Sequence, residues 1–440
     1  MIAQLFFAGS LGTAIYFATK SVLRIRANIL LGKPYSINDN TSERIKKMVF
    51  VAFGQQKMFD RPIVAMLHLF VYVGFLVVNL EMLEIVIDGL TGEHRIFAGL
   101  LGGFYPVMVN VFEFFAVAVL LACAVFWVRR NVLKIKRFWF AEMKPEPRKD
   151  ANVILYSEII LMSAFLLMNA TDYELQVRGA EHYVHTGSFW FSSLFSPLFA
   201  NWNIDLLIDV ERFCWWTHIL GVFAFANYLP YSKHLHIILA FPNTYFSKLD
   251  SAGKMRNMPE VTTEVKLMLN IPLAENESAG TGEPVSRFGV KDIQDLTWKQ
   301  IMESYTCTEC GRCSSVCPAN LTGKVLSPRK IMMDVRDRVE EVSTNLQQNG
   351  PSFDDGKSLY GDYISQEELL ACTSCNACAD ACPVNIDPLS IILDMRRYMI
   401  MEESKAPFAW NAMFSNMENN MAPWKFSPSD RFNWSKNINP

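Results

Sequence analysis

Two runs of cysteine constrain this chain more than any other feature. "CTECGRCSSVCP" occupies residues 307–318, "CTSCNACADACP" occupies residues 372–383, and both read C-x2-C-x2-C-x3-C-P. Three cysteines in a tight loop wrap three corners of an iron–sulfur cubane, while a fourth, placed just before proline, diverges from them. Zinc sites more often use two separated C-x2-C pairs, which leaves zinc as the weaker reading. Ten cysteines are present, eight of them in these runs; Cys123 and Cys214 fall in apolar stretches.

In bacterial proteins with two such runs, the fourth cysteine of each ligates the other cluster. That rule assigns Cys307, Cys310, Cys313 and Cys382 to one [4Fe–4S] cluster, and Cys372, Cys375, Cys378 and Cys317 to a second. The 53 residues between the runs contain "SPRKIMMDVRDRVEEVS", with helical periodicity and a Ser-Pro start, and end in "SQEELLAC", a Ser-capped helix feeding into Cys372 of the second run. "DPLSIILDMRRYMIMEE" follows as another helix. Residues 291–404 are therefore expected to form a helical two-cluster domain, preceded by a linker over 246–290 that includes "ENESAGTGEP" at 275–284.

The rest of the chain has a different character. The whole is 51% hydrophobic with only 19% charged residues, unevenly spread, which predicts a membrane part beside a soluble part. Five stretches approach the roughly 20 apolar residues that a spanning helix needs: about 1–23, 63–88, 104–128, 153–172 and 206–238, within a membrane domain of residues 1–245. The first lacks a basic region ahead of its apolar run and a clear cleavage site, so it reads as a retained helix rather than a signal peptide. The loop after the first span carries Arg24, Arg26, Lys33, Arg44, Lys46, Lys47, Lys57 and Arg61. The loop after the third carries Arg129, Arg130, Lys134, Lys136, Arg137, Lys144, Arg148 and Lys149. Basic loops stay in the cytoplasm, so the N-terminus is expected outside and the cysteine domain inside. A reducing compartment favours metal over disulfides. A net charge of −3 with no basic tail gives no case for nucleic acid.

Histidine within a membrane helix is costly and points to function, and imidazole is an axial haem ligand. His68 and His236 are expected at matched depth near the inner surface, where they can clamp one haem. His218 lies 18 residues before His236, roughly 27 Å along a straight helix, and so belongs to the outer half. Its level on the second span is near Val78, where no histidine stands. His234 is expected to point away, with a role in reserve if the helix breaks at Pro230, and His94 lies in an outer loop and carries little signal. The competing reading is that these are packed or snorkelling histidines bonded to backbone. Glu81, Glu113 and Glu158 lie in the apparent helices, where proton relay and salt bridging are both open.

"MLHLFVYVGF" together with "WWTHILGVFAFANYLPYSKHLHI" resembles the gamma subunit of respiratory nitrate reductase, a five-helix cytochrome b. The resemblance implies two b haems with ligands on the second and fifth helices. His68 and His236 match the inner pair, His218 matches an outer ligand, and the fourth histidine is missing, which leaves the haem count open between one and two. The eight cysteines, Pro318, Pro383 and "GKVLSPRK" resemble the ferredoxin-like iron–sulfur subunit of heterodisulfide reductase and iron–sulfur subunits of lactate and glycerol-3-phosphate oxidising systems. Fusions of the two modules are familiar in the inner membranes of anaerobic and respiratory bacteria.

The fold expected is mainly α: a five-helix cytochrome b domain followed by a helical two-cluster ferredoxin domain. The function expected is a membrane electron-transfer subunit that passes electrons between a quinone, haem b and two cytoplasmic clusters. No flavin or nicotinamide fingerprint and no nucleophile constellation is visible, so a partner subunit is expected to supply the chemistry. By resemblance that partner is cysteine-rich and heterodisulfide-reductase-like, alongside other membrane subunits of a complex. A redox sensor and an inert structural anchor are the alternatives. The tail, 405–440, rich in Trp, Phe, Met and Asn, either packs on its own domain or docks a neighbour.

Overall fold

A computed structural model of the 440-residue chain describes residues 1–37, 39–143, 145–251, 253–272 and 287–438. The 275–284 stretch of the expected linker and Lys144 lie outside the described residues. Among those residues the only β pairing is two isolated bridges, Lys33 with Thr297 and Tyr360 with Ile364; the rest of the regular structure is helical.

Five long helices build the first half: α1 Ile2–Ile29, α2 Pro62–Thr91, α3 Tyr105–Trp127, α4 Glu146–Val177 and α5 Ile204–Tyr228. α2 and α4 have 30 and 32 residues, hence lengths of roughly 45–48 Å at about 1.5 Å per residue. That exceeds a hydrocarbon core of about 30 Å, so their ends reach past it. Among the described residues, four helical stretches are long and apolar enough to cross a membrane: α1, α2, α4 and the run Ile96–Val132 that contains α3. α5 is not among them, and its first half carries Asp205, Asp209, Glu211 and Arg212. Inward faces meet in a core of Phe7, Ile85, Phe112, Val119, Phe165, Trp215 and Ile219. Leu5, Phe6, Ile15, Leu76, Leu80 and Leu121 remain exposed, the pattern of helices whose outer surface faces lipid.

The far end of the bundle is closed by buried polar groups. Arg95 donates to Asp172 at 2.6 Å and Asn169 at 2.8 Å, and Tyr105 donates to Glu84 at 3.0 Å. His94, which the sequence placed in an uninformative loop, stands 3.7 Å from Asp172 in this network. Glu113 is fully buried and accepts from the backbone N–H groups of Phe191 and Ser192, so it anchors a loop.

One expectation is corrected. The fifth stretch is not a single helix over 206–238: α5 ends at Tyr228, two 3-10 turns follow (Leu229–Tyr231 and Lys233–Leu235), and α6 (His236–Tyr245) starts a new axis. Pro230 has no N–H to give and its ring excludes the preceding turn from continuing. The straight-helix spacing of His218 and His236 therefore does not hold, and His234 is swung toward His236.

The second half packs α7 (Trp298–Thr306), α8 (Pro328–Asn349), α9 (Gln366–Ala371) and α10 (Pro388–Met401) around Ile301, Ile331, Val335, Val339, Ile391 and Met395. Ser365 caps α9 with a reciprocal capping box and Ser327 caps α8 ahead of Pro328, as the sequence signals predict; Thr297 caps α7 with a second capping box. A last helix, α11 (Phe408–Asn420), buries no residue.

The last turn of α1 and the residues after it reach from the bundle onto the cysteine domain. Asn28 donates to Tyr305 at 2.9 Å and accepts from Ser343 at 2.5 Å. Lys33 exchanges backbone bonds with Leu296 and Trp298. Gly32 permits this, since a Cβ there would stand 2.6 Å from the Trp298 nitrogen. Both basic loops lie at this same end: Arg137 and Glu142 receive Arg329, and Lys57 reaches Asp380.

The cysteine domain also holds a buried cation, Arg338, which bonds Asp292 at 2.7 Å and Asp355 at 2.6 Å. Removing one partner of such a site strands the other charges. Arg338→Ala is expected to lower stability by about 3 kcal/mol or more, read as a fall in calorimetric stability of the solubilised chain. The Arg338 hydrogen bonds hold the Asp355 carboxyl at about 2, below its ordinary value of about 3.9. This contribution is present above about pH 4 and lost as pH falls toward the folded value; Asp355→Asn should flatten stability against pH in that window.

Candidate electron-transfer site

The two cysteine runs fold alike, and backbone dihedrals show how. In the first, Glu309 (φ 53°) and Gly311 (φ 69°) are left-handed; in the second, Ser374 (φ 55°) and Asn376 (φ 66°) are, at the same two positions of the repeat. Alternation of right- and left-handed residues turns successive N–H groups into a concave nest, an anion-binding feature found at many iron–sulfur sites. Ser374 N–H donates to Cys372 Sγ at 3.4 Å, and Glu309 N–H bonds Cys307 in the matching place. A Cβ at Gly311 would also meet the Arg329 guanidinium at 2.5 Å, so this turn needs glycine on two counts. After each tight loop a short helix begins, Arg312–Val316 in the first run and Ala377–Asp380 in the second.

Thiols of the two runs stand near one another. Burial pushes the Cys382 thiol up to about 12, with Cys310 and Cys307 of the other run adding to it. Cys378 is pushed up to about 12 by burial, with Asp387, Cys372 and Cys317 adding to it. Burial raises Cys313, with Cys310, Cys307, Cys382 and Cys378 around it, and raises Cys307 to about 11. Such thiols are neutral at pH 7, so loading metal must displace their protons. Among the described residues no three His, Cys, Asp or Glu side chains converge on the point of a single ion. Cys375 is the one exposed cysteine of the eight, while Cys307, Cys317 and Cys378 are buried.

Basic side chains brace both loops. Arg396 donates to Leu369 O at 2.9 Å, to the Ser374 hydroxyl at 3.2 Å and to Cys372 O. Arg312, inside the first run, donates to Lys57 O at 2.9 Å. These arginines could not be assigned from spacing, because their targets are carbonyls of distant segments.

At the cysteine-domain end of the bundle three histidines gather. The rings of His68 and His236 have centroids 6.4 Å apart, and that of His234 stands 5.9 Å from His236. His68 Nδ1 bonds Gln55 Oε1 at 3.1 Å and His236 Nδ1 bonds Lys233 O at 2.9 Å. An acceptor on Nδ1 fixes the proton there and leaves Nε2 with its lone pair. His218 repeats the arrangement deeper in the bundle: its Nδ1 bonds Leu161 O at 3.0 Å, its Nε2 has no partner, and it is 1% exposed. His234 Nδ1 and Glu81 Oε2 are also buried without partners.

Residues 306–386 match the 4Fe-4S dicluster domain family. The chain is 26% identical over 452 residues to "Probable iron-sulfur-binding oxidoreductase FadF" of Bacillus subtilis, covering 96% of this chain and 59% of that protein. It is 26% identical over 429 residues to "EtfAB:quinone oxidoreductase" of Syntrophomonas wolfei, covering 90% of this chain and 54% of that protein. A 163-residue region, 34% of this chain and 24% of the relative, is 29% identical to "Probable membrane-anchored ferredoxin" of Chromohalobacter salexigens. The chain thus spans somewhat more than half the length of the first two relatives. No solved structure matches it. A ferredoxin-like 4Fe-4S domain, attached to apolar helices and homologous to iron–sulfur oxidoreductases, is what this chain carries.

Proposed function

We propose that the chain is a membrane electron-transfer subunit of a quinone-linked iron–sulfur oxidoreductase. It would pass single electrons between a haem b held by His68 and His236 and two [4Fe–4S] clusters, held by Cys307, Cys310, Cys313 and Cys382 and by Cys372, Cys375, Cys378 and Cys317. The observation that carries the reading is the imidazole pair beside the first cysteine loop. Two imidazoles that share one metal, with metal–nitrogen bonds of about 2 Å on each side, have centroids roughly 6 Å apart. The observed separation is 6.4 Å, and both Nδ1 atoms already donate to protein acceptors. A haem supplies a one-electron couple at membrane depth. The chain's own residues orient the two rings through Gln55 and the Lys233 carbonyl, and Lys233 ties the second ring's segment to the first cysteine loop.

Four apolar stretches with a fifth, more polar helix supply the membrane domain. With the basic loops at the cysteine-domain end, the positive-inside rule puts that domain in the cytoplasm and the N-terminus outside. A quinone is the electron carrier dissolved in lipid, and one relative's printed name includes quinone oxidoreductase. The partner that supplies substrate chemistry is a cysteine-rich, heterodisulfide-reductase-like subunit, in keeping with the resemblance of the cysteine domain. The exposed Cys375 gives it a place to exchange electrons.

The purified full chain is expected to show a Soret band and eight cluster irons. His68→Ala and His236→Ala should each remove the haem and its reduction by a quinol analogue while the cluster iron stays; a wild-type chain without Soret absorbance sinks the reading. A pyridine haemochrome count of two per chain would assign the free Nε2 of His218 to a second haem. The crossed ligand sets make a separate prediction. Cys382→Ser should perturb the same cluster signal in electron paramagnetic resonance as Cys307→Ser, and Cys317→Ser the same signal as Cys372→Ser; pairing within each run instead would refute the crossing.

A further inference from the structure

Lys233 occupies an unusual position. Its main-chain oxygen accepts from His236 Nδ1 at 2.9 Å, and its ammonium donates to Glu309 Oε2 at 2.6 Å. Glu309 is the left-handed residue between Cys307 and Cys310. One residue therefore touches a histidine of the bundle through its backbone and the first cysteine loop through its side chain.

Every other bond of the pair restricts it further. Lys233 N–H donates to Asp150 at 3.2 Å and its Nζ to Pro147 O at 2.7 Å. The second oxygen of Glu309 accepts from Arg336 at 2.7 Å. The side chains of Lys233 and Glu309 are 10% and 2% exposed. A buried ion pair is a poor source of stability compared with apolar packing, because desolvation offsets the attraction. What it does provide is a fixed geometry and a fixed local field.

The opposite histidine is tied to the same loop by a second route. His68 bonds Gln55, and the turn that follows, Gln56–Asp60, presents Lys57 O at 2.9 Å and Met58 Sδ at 3.4 Å to Arg312 of the first run. The second run is tied to this region by a bond from Lys57 Nζ to Asp380 O at 2.9 Å on the exposed surface and, just past its proline, by the buried Asn243, which donates to Val384 O at 2.8 Å. Its Cys375 opens to water.

We propose that Lys233 and Glu309 are a positioning pair that locks the His236 imidazole to the first cysteine loop. The order of centres is then the imidazole pair, the first loop, the second loop and the aqueous surface. This rests on the reading of His68 and His236 as haem ligands. A haem held by His68 and His236 would supply a one-electron couple there, and the electron it lost or gained would be gained or lost by the cluster that Cys307, Cys310, Cys313 and Cys382 would hold. No bond is made or broken and no proton is transferred.

The test uses the full chain in detergent, with Lys233→Met, Lys233→Arg and Glu309→Gln compared with wild type. Redox titration of the haem band, low-spin haem resonance spectra, and iron and sulfide content are the readouts. Losing the ammonium favours the more positive ferric state, so Lys233→Met should lower the haem midpoint potential. Losing the carboxylate should raise it in Glu309→Gln. Haem–cluster exchange should slow by about 10–100-fold in Lys233→Met, the usual scale for removing a group that orients a ligand, and recover in Lys233→Arg. Damage to the scaffold alone would shift both variants in one direction. If Lys233→Met fails to retain its clusters, Glu309→Gln, nearly isosteric and still able to accept from Lys233, carries the test. Shifts of the same sign, or spectra and potentials identical to wild type, overturn the positioning pair alone. A wild-type chain without haem overturns it together with the function proposed above.

Discussion

Buried charge fixes how the two halves of this protein meet, beside an apolar contact in which Ile25 and Leu235 of the first half enter the core of the second. Lys233 meets Glu309, Arg329 meets Glu142 and the Arg137 carbonyl, and Arg312 meets the Lys57 carbonyl, all where bundle loops and cysteine domain touch. A greasy interface tolerates sliding by a fraction of a side chain. A desolvated guanidinium or ammonium does not, since losing its partner leaves a charge in a medium that cannot solvate it. The two domains are thereby held in one register, and the distances between histidines and cysteine loops become properties of the fold. Electron transfer between fixed centres needs that property.

The basic loops take part in this contact as well. Read as sequence, Arg137, Lys57 and their neighbours are orientation signals for membrane insertion. In the folded chain several of them also serve as contact surface. Arg137 offers its carbonyl to Arg329, a side chain with no exposure, and Lys57 both donates to Asp380 and accepts from Arg312. A loop basic enough to stay on one side of a membrane is already suited to grip a domain whose cysteine loops, once loaded, carry negative charge.

Much of this was legible in the residues. Ser327 and Ser365 cap the helices that their motifs announce, the triple-cysteine loops form, and the apolar runs become long helices. His68 and His236, 168 residues apart in sequence, stand together because each sits at the cysteine-domain end of its segment. What escaped the reading was of two kinds. Contacts to carbonyls, such as Arg396 to Leu369 and Arg312 to Lys57, leave no trace in a pattern, because any residue has a carbonyl. Chain direction after a break was the other: periodicity carries an axis through Pro230, whereas the backbone turns there and re-aims every side chain beyond it.

That turn has a structural consequence. In an unbroken helix residues 233 and 236 would continue the axis of α5; the two 3-10 turns re-aim them. The carbonyl then faces the imidazole of His236, while the Lys233 side chain, no longer confined to a helical face, reaches Glu309. Pro230 thus does more than end a helix. By turning the chain, it brings one peptide group to a histidine and one side chain to a cysteine loop, three residues downstream of the break.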